Sequence, residues 1–167
     1  WTDTLGNPDT DAGRFDTIFF GGGTPSMTPP ESMLRALAPL ELEKRIRVGT
    51  DSDTEWTMEA NPSSVSLENL RAYRALGLNR VSMGVQSMNN EQLLRLGRVH
   101  NEEAVPRALN EIFESGISNA SCDLLCGVPG QTISDLELFI TKLLKFPLNH
   151  ISIYLLTLPP HHRMYKE

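Results

Sequence analysis

Cysteine is scarce in this sequence, and its scarcity excludes two kinds of structure. Cys122 and Cys126 are the two cysteines among 167 residues, which is too few for a disulfide-stabilised scaffold. Residues four apart on one strand lie about 13 Å apart, so this pair cannot chelate one metal ion. We therefore expect two small buried hydrophobic residues in a protein of a reducing, cytoplasmic compartment.

Clustered basic residues and long apolar runs are also missing. The 15 Lys and Arg residues are outnumbered by 21 Asp and Glu residues, which argues against a nucleic-acid partner because phosphate binding needs clustered cations. The longest apolar run, around Ile151–Leu158, is far too short to span a bilayer. Residues Trp1–Thr4 lack the basic and apolar regions of a signal peptide, and a start at Trp predicts that upstream sequence is missing.

What the sequence does contain is a regular alternation of strand and helix patterns. Apolar residues at helical spacing predict four helices between strand-like segments. This alternation predicts an α/β fold with a parallel sheet, and the pattern leaves an open sheet and a barrel as alternatives. The predicted strands, each rich in β-branched, aromatic or aliphatic residues, are Thr17–Phe20, Trp56–Ala60, Arg80–Val85, Ser121–Cys126 and His150–Leu156.

Capping residues predict where the helices begin. Thr28 followed by Glu31 matches a capping box at the start of the first helix. Pro106 lies about one turn inside the third predicted helix, so a late start or a kink is expected there. Thr132 or Ser134 would open the fourth helix.

Polar and glycine-rich segments lie inside or just after four consecutive predicted strands. Function gathers at the C-terminal ends of strands in a parallel α/β sheet. These segments therefore predict one binding site. They are Gly21–Ser26, Glu59–Pro62, Gly84–Ser87 and Asp123–Thr132.

The glycine triplet Gly21–Gly23 would let the backbone approach a ligand closely. It matches neither the G-x-G-x-x-G dinucleotide fingerprint nor a P-loop, because the residues that complete those motifs are absent. A tight turn without a ligand is the alternative interpretation.

Glu59 and Asp123 are carboxylates at strand positions where apolar residues are usual, so each needs a partner. A ligand with amino and hydroxyl groups would provide one. A structural ion pair with Arg80 or Arg98 would do so equally. Gln86 and Arg98 are also open to two interpretations, since Gln86 could cap a loop and Arg98 could be a solvated helix side chain.

Five segments, taken in order, resemble the oxygen-independent coproporphyrinogen III oxidases and the HemW-like haem chaperones of the radical S-adenosylmethionine (SAM) superfamily. Each segment alone is a weak signal, and their order and strand context make the resemblance specific. It covers roughly residues 15–160. The segments are Phe19–Ser26, Glu59–Pro62, Gly84–Ser87, Leu96–His100 and Asp123–Thr132.

The resemblance implies a partial (β/α)6 radical SAM barrel, of which this chain covers about strands two to six. Residues 1–15 would be a loop, 16–160 the partial barrel, and 161–167 the start of a connection to a C-terminal domain. The family's CxxxCxxC motif is absent, so the ligands of the [4Fe–4S] cluster would lie in a missing segment with the first strand. Without that strand, we expect an unpaired sheet edge and an open apolar barrel interior.

The resemblance also implies cofactor contacts and assigns no catalytic or metal-ligating residue. The Gly22–Thr24 backbone would hold the amino group of SAM. From the chemistry of their side chains, we infer that Arg98 would bind its carboxylate and that Asp123 would accept from the ribose hydroxyls. The implied SAM-binding residues are Gly22, Gly23, Thr24, Glu59, Gln86, Arg98 and Asp123.

Between the two branches, Glu59–Pro62, Gly130–Thr132 and Leu156–Pro159 resemble the haem chaperones. The resemblance thus implies the SAM-binding portion of a cytoplasmic haem chaperone, with porphyrin or haem and an electron donor such as flavodoxin or ferredoxin as partners. The chain alone would be inactive. His161–His162 could bind a metal or haem, although a polar loop is the simpler interpretation. The alternatives are a coproporphyrinogen III oxidase, which converts propionates to vinyl groups by radical decarboxylation, and a non-catalytic α/β module.

Overall fold

The computed structural model describes residues 13–46, 54–161 and 164. Five parallel strands form one sheet in the order β1-β2-β3-β4-β5. All five predicted strands and the parallel α/β architecture are confirmed, with small shifts at the strand ends. The strands are β1 Thr17–Phe20, β2 Glu55–Ala60, β3 Arg80–Gln86, β4 Asn119–Cys126 and β5 His150–Leu155.

Helices connect successive strands and cover one face of the sheet. The four predicted helices are present, and two short helices of four and six residues are additional. Both are too short to show a clear helical period in the sequence. The helices are α1 Pro30–Leu37, α2 Leu42–Arg45, α3 Leu67–Ala75, α4 Asn90–Arg95, α5 Ala104–Glu114 and α6 Ile133–Leu143.

The hydrophobic core lies between the sheet and these helices. Alternate strand residues such as Met58, Val81 and Met83 are fully buried there against Leu109 and Ile112 of α5. Burial of every second residue is expected for strands that turn one face toward a core. No helix within the described residues is both long and apolar enough to cross a membrane.

Both cysteines are free; Cys122 belongs to this core and Cys126 packs against it. Cys122 is completely buried and Cys126 is partly buried. Burial, helped by the neighbouring Asp123 charge, raises the pKa of the Cys122 thiol to about 12. Among the described residues, no cluster of three His, Cys, Asp or Glu side chains could hold a metal ion.

The first predicted capping box is wrong. Helix α1 begins at Pro30, its N-cap is Pro29, and no side chain caps it. A residue that precedes proline is forced into an extended conformation, and Pro29 accordingly has φ −57° and ψ 138°. The helix therefore begins too late for Thr28 to cap it, and the Thr28 carbonyl instead accepts a hydrogen bond from the Tyr73 hydroxyl.

The other helix starts follow the sequence. Helix α5 begins late, at Ala104, so Pro106 lies in its first turn, where a missing N–H breaks no helical hydrogen bond. Thr132 caps α6: its hydroxyl accepts from the Asp135 N–H at 3.2 Å, and the Asp135 carboxylate accepts from the Thr132 N–H at 2.8 Å. The Thr132 hydroxyl also donates to the Asp135 carboxylate, at 2.9 Å. The two bonds that the carboxylate accepts from the Thr132 N–H and hydroxyl lower the pKa of the Asp135 carboxyl.

The capping box predicts a measurable difference between two neighbouring substitutions. Thr132→Ala removes the cap and is expected to lower the free energy of unfolding by about 1 kcal/mol. Ser134→Ala is the matched control, because Ser134 lies inside the helix and is not its cap. Urea unfolding of both variants measures the difference. Equal effects of the two substitutions would contradict the assigned helix start.

The face of the sheet opposite the helices is polar, so the expected apolar barrel interior is wrong. Arg80 donates to the hydroxyls of Thr57 at 3.3 Å and Ser121 at 3.2 Å. Ser121 in turn donates to Ser82 at 2.9 Å. Within the described part of the chain, β1 is an edge strand, as expected. The predicted segments 1–15 and 161–167 lie largely outside the described residues.

Candidate functional site

A cavity of about 180 Å³ lies at the C-terminal ends of the strands. Six of the seven predicted site residues line it. The seventh, Gly22, lies beside it, with its N–H bonded to Glu59. The lining residues are Gly23, Thr24, Pro25, Glu59, Ala60, Asn61, Ser82, Gly84, Gln86, Arg98 and Asp123.

The glycine-rich segment after β1 forms one wall of the cavity. Gly22 and Gly23 have φ values of 82° and 57°, in the left-handed region that favours glycine. A Cβ atom at either position would meet nothing within 4 Å. The Gly22 N–H donates to the Glu59 carboxylate at 2.9 Å. The two glycines thus allow a backbone conformation that other residues rarely adopt, and the bond to Glu59 attaches their loop to β2.

Asp123 faces the cavity from the middle of β4, where it is partly buried. The Ser82 hydroxyl lies 3.3 Å from both of its carboxylate oxygens, so it can donate to either. Gly84 is the β3 residue paired with Asp123. A Cβ on Gly84 would lie 3.1 Å from the Gln86 amide nitrogen, so the glycine leaves room for that side chain.

The structural ion pairs considered for the two carboxylates are not found. Among the described residues, neither Glu59 nor Asp123 forms an ion pair. Arg80 instead lies 3.9 Å from Glu55, at the opposite end of β2. The carboxylates of Glu59 and Asp123 therefore keep acceptor capacity for a ligand.

Gln86 enters the cavity through a local distortion of β3. The pairing register of β3 and β4 shifts between Gly84 and Gln86, as in a β-bulge. Gln86 has φ 68°, and the Val85 carbonyl accepts from the Ser87 N–H at 2.8 Å. This closes a three-residue turn with positive φ at its centre, a rare and strained form. The turn directs the Gln86 side chain toward the cavity.

Arg98 reaches the cavity from the end of α4. The Asn89 side chain caps the start of that helix, and its end is a Schellman motif. Gly97, at φ 67°, donates to the Leu94 carbonyl, and the Arg98 N–H donates to the Leu93 carbonyl at 2.9 Å. The Arg98 guanidinium has no hydrogen-bond or ion-pair partner within the described residues, so it is available to an anionic group.

Ser82 is a site residue that the sequence analysis missed. It occupies the same face of β3 as Gly84 and Gln86, and the alternation of that strand is the signal that identifies it. Asn61 and Pro25 also line the cavity; both lie in predicted site segments, and neither is among the predicted SAM-binding residues. Of the histidine pair, His161 is exposed and His162 lies outside the described residues.

Comparisons with known proteins agree with this architecture. The sequence matches the radical SAM superfamily over residues 8–143. It is 37% identical over 148 residues to the heme chaperone HemW of Haemophilus influenzae, covering 89% of this chain and 38% of that protein. It is also 37% identical over 145 residues to the mitochondrial radical S-adenosyl methionine domain-containing protein 1 of Mus musculus, covering 87% and 32% respectively.

Among solved structures, the fold is similar to that of coproporphyrinogen III oxidase (HemN) from Escherichia coli. The TM-score is 0.76 at 28% sequence identity, covering 89% of this chain and 33% of that one. The chain therefore spans about a third of the length of these relatives. The match over most of its length shows that the chain belongs to the radical SAM superfamily, and within it the chain is similar to the HemW and HemN proteins.

Proposed function

We propose that the cavity binds SAM, in a protein that acts as a haem chaperone, the function named for its HemW relatives. The observation that supports SAM binding is the convergence of two carboxylates and one unpartnered guanidinium on a single cavity. SAM presents an amino group, a carboxylate and ribose hydroxyls. Glu59 and the neighbouring loop would receive the amino group, Arg98 the carboxylate, and Asp123 the ribose hydroxyls.

The size of the cavity indicates how much of SAM these residues contact. Sites for drug-sized ligands usually have volumes of roughly 300–1,000 Å³, whereas this cavity has about 180 Å³. The described residues would thus enclose part of the cofactor. Gly22 and Gly23 support this interpretation, because the space beside their Cα atoms is open and a ligand could approach their backbone closely.

Radical SAM proteins also use a [4Fe–4S] cluster, which supplies the electron for reductive cleavage of SAM when it is bound. The described residues do not fit that cluster. They contain no group of three potential metal ligands, and iron requires thiolates, whereas the Cys122 thiol has a pKa of about 12. We propose that the cluster ligands lie in a segment outside this chain, and that these residues bind and orient SAM.

The haem-chaperone proposal is supported by the names of several relatives. Proteins called heme chaperone HemW in Bacillus subtilis and Escherichia coli are 35% and 36% identical to this chain. The HemN structure supports the alternative function, coproporphyrinogen III oxidation, at the lower identity of 28%. A cytoplasmic location and a flavodoxin or ferredoxin as electron donor are further parts of the proposal.

The two functions predict different products. Full-length protein with a reconstituted cluster is expected to bind haem, seen as a Soret band that titrates with haem, and to leave coproporphyrinogen III unchanged in an anaerobic assay with SAM and reductant. Mass spectrometry of the porphyrins is the measurement. Vinyl-containing products together with no haem binding would replace the chaperone proposal with the oxidase.

A further inference from the structure

His100 is a buried residue next to the candidate site whose role is not explained by the proposed SAM contacts. The residue is 4% exposed. The Nε2 atom lies 3.0 Å from the Val85 carbonyl oxygen. A carbonyl can only accept, so Nε2 carries the proton and donates. The other nitrogen, Nδ1, is buried and has no hydrogen-bond partner.

Filling the core does not explain this arrangement. An unsatisfied buried polar atom is unfavourable, and an apolar side chain of similar size would occupy the space without that penalty. Burial lowers the pKa of His100 by more than the hydrogen bond to Val85 raises it, and the Arg98 charge also lowers it. The imidazole is thus neutral and keeps one donor, Nε2–H, whose acceptor is the Val85 carbonyl.

The Val85 carbonyl accepts two hydrogen bonds, of which the bond from His100 is the first. It accepts a second hydrogen bond from Ser87 N–H, which closes the strained turn around Gln86. His100 therefore bonds to the end of β3 at the carbonyl that precedes the cavity-lining Gln86. Two bonds to one carbonyl stabilise a turn that strain alone would open.

His100 also lies two residues after Arg98, on the loop that leaves α4. The Schellman motif fixes the start of this loop through Gly97 and the Arg98 N–H. Beyond Arg98, the His100–Val85 bond attaches the loop to β3. The Arg98 guanidinium has no partner of its own among the described residues, so its position depends on how its backbone is held.

We propose that His100 is a positioning residue of the SAM site, which attaches the Arg98 loop to the end of β3 through its Nε2–H bond to Val85. This inference depends on the proposed SAM site, and it concerns a residue that does not line the cavity. Removing the bond frees the loop, and a mobile Arg98 loses affinity for the SAM carboxylate because ordering the loop then opposes binding.

Matched substitutions test this role in the full-length, cluster-containing protein, with SAM affinity measured by isothermal titration calorimetry. His100→Gln keeps an N–H donor near the Nε2 position, whereas His100→Met has similar length and no donor. We expect H100M to bind SAM about tenfold more weakly, corresponding to one lost hydrogen bond. H100Q should remain within about twofold of the wild type.

A cycle with Arg98→Ala separates positioning from general destabilisation. If His100 acts through Arg98, H100M should weaken SAM binding less than about twofold further in the R98A background. The inference would be overturned if H100M lowered SAM affinity equally in the wild-type and R98A backgrounds. It would also be overturned if H100M did not lower SAM affinity in the wild-type background. His100→Asn, whose shorter amide cannot reach Val85, replaces H100M if that variant does not fold.

The same measurements separate failure of the inference from failure of the SAM site. If R98A and D123A both bind SAM like the wild type, the proposed site is wrong. If both weaken binding while H100M does not, the site stands and the role of His100 is wrong.

Discussion

Asp123→Ala is expected to weaken SAM binding by roughly 10- to 150-fold, the equivalent of about 1.5–3 kcal/mol for a hydrogen bond to a charged group. The carboxylate lines the cavity, is partly buried, and has the Ser82 hydroxyl as its neutral hydrogen-bonding partner. Its charge is therefore not neutralised by the protein. Titration of SAM into the full-length protein measures the effect.

Glu59 offers a finer version of the same test, because it also accepts from the Gly22 N–H. Glu59→Gln keeps an oxygen for that bond and removes the charge, whereas Glu59→Ala removes both. We expect E59A to bind SAM more weakly than E59Q, and both to bind more weakly than the wild type.

Glu55→Ala is the control for both carboxylates. Glu55 lies on the same face of β2 as Glu59, at the other end of the strand, and its side chain is 46% exposed. Its replacement should leave SAM affinity unchanged. If D123A and E59A both keep the fold and bind SAM with wild-type affinity, the assignment of this cavity as the SAM site is wrong.

The strands were predictable because their apolar runs are short and separated by clear turn residues. The site was predictable for the same reason, since parallel strands bring the residues after their C-terminal ends together. Glu59 and Asp123 could be recognised as polar residues in otherwise apolar strands. Both line one cavity, because β2 to β4 are parallel neighbours and their C-terminal ends lie at the same edge of the sheet.

The errors have equally physical causes. Thr28 matches a capping box in sequence, but the Pro29–Pro30 pair delays the helix by one residue. The six residues of α4 show no clear period, so the helix that presents Arg98 was missed, although Asn89 and Gly97 mark its two ends.

The polar inner face was missed for a different reason. The sheet face opposite the helices was expected to be apolar because it would line a barrel interior. Alternate residues of β2 and β3 on this face are instead charged or hydroxylated, as Thr57, Arg80 and Ser82 show. Their mutual hydrogen bonds, which depend on strand register, satisfy these groups in the structure. Taking every second residue of each strand would have shown that this face is polar. The hydrogen bonds between strands could not be predicted, because they depend on the register in which the strands pair.

The two cysteines give an all-or-none prediction. Replacing Cys122 by Ala and Cys126 by Ser in the full-length protein is expected to leave its iron and sulfide content unchanged. Cys122 is fully buried in the core, and burial raises the pKa of its thiol to about 12, so it does not supply the thiolate that iron requires. Cys126 lies four residues along the same strand, about 13 Å away.

The 167-residue chain by itself should accordingly hold no cluster. After anaerobic incubation with iron and sulfide, we expect it to lack the broad visible absorption of iron–sulfur proteins and to cleave no SAM, because three closely spaced thiolates are needed and its described residues offer no such group. Iron analysis and chromatographic detection of 5′-deoxyadenosine are the measurements, with the full-length protein as the positive control. A stoichiometric cluster on this chain that disappears in the double cysteine variant would show that a core thiol can be recruited to iron, and the separation of SAM-binding and cluster-binding segments would then be wrong.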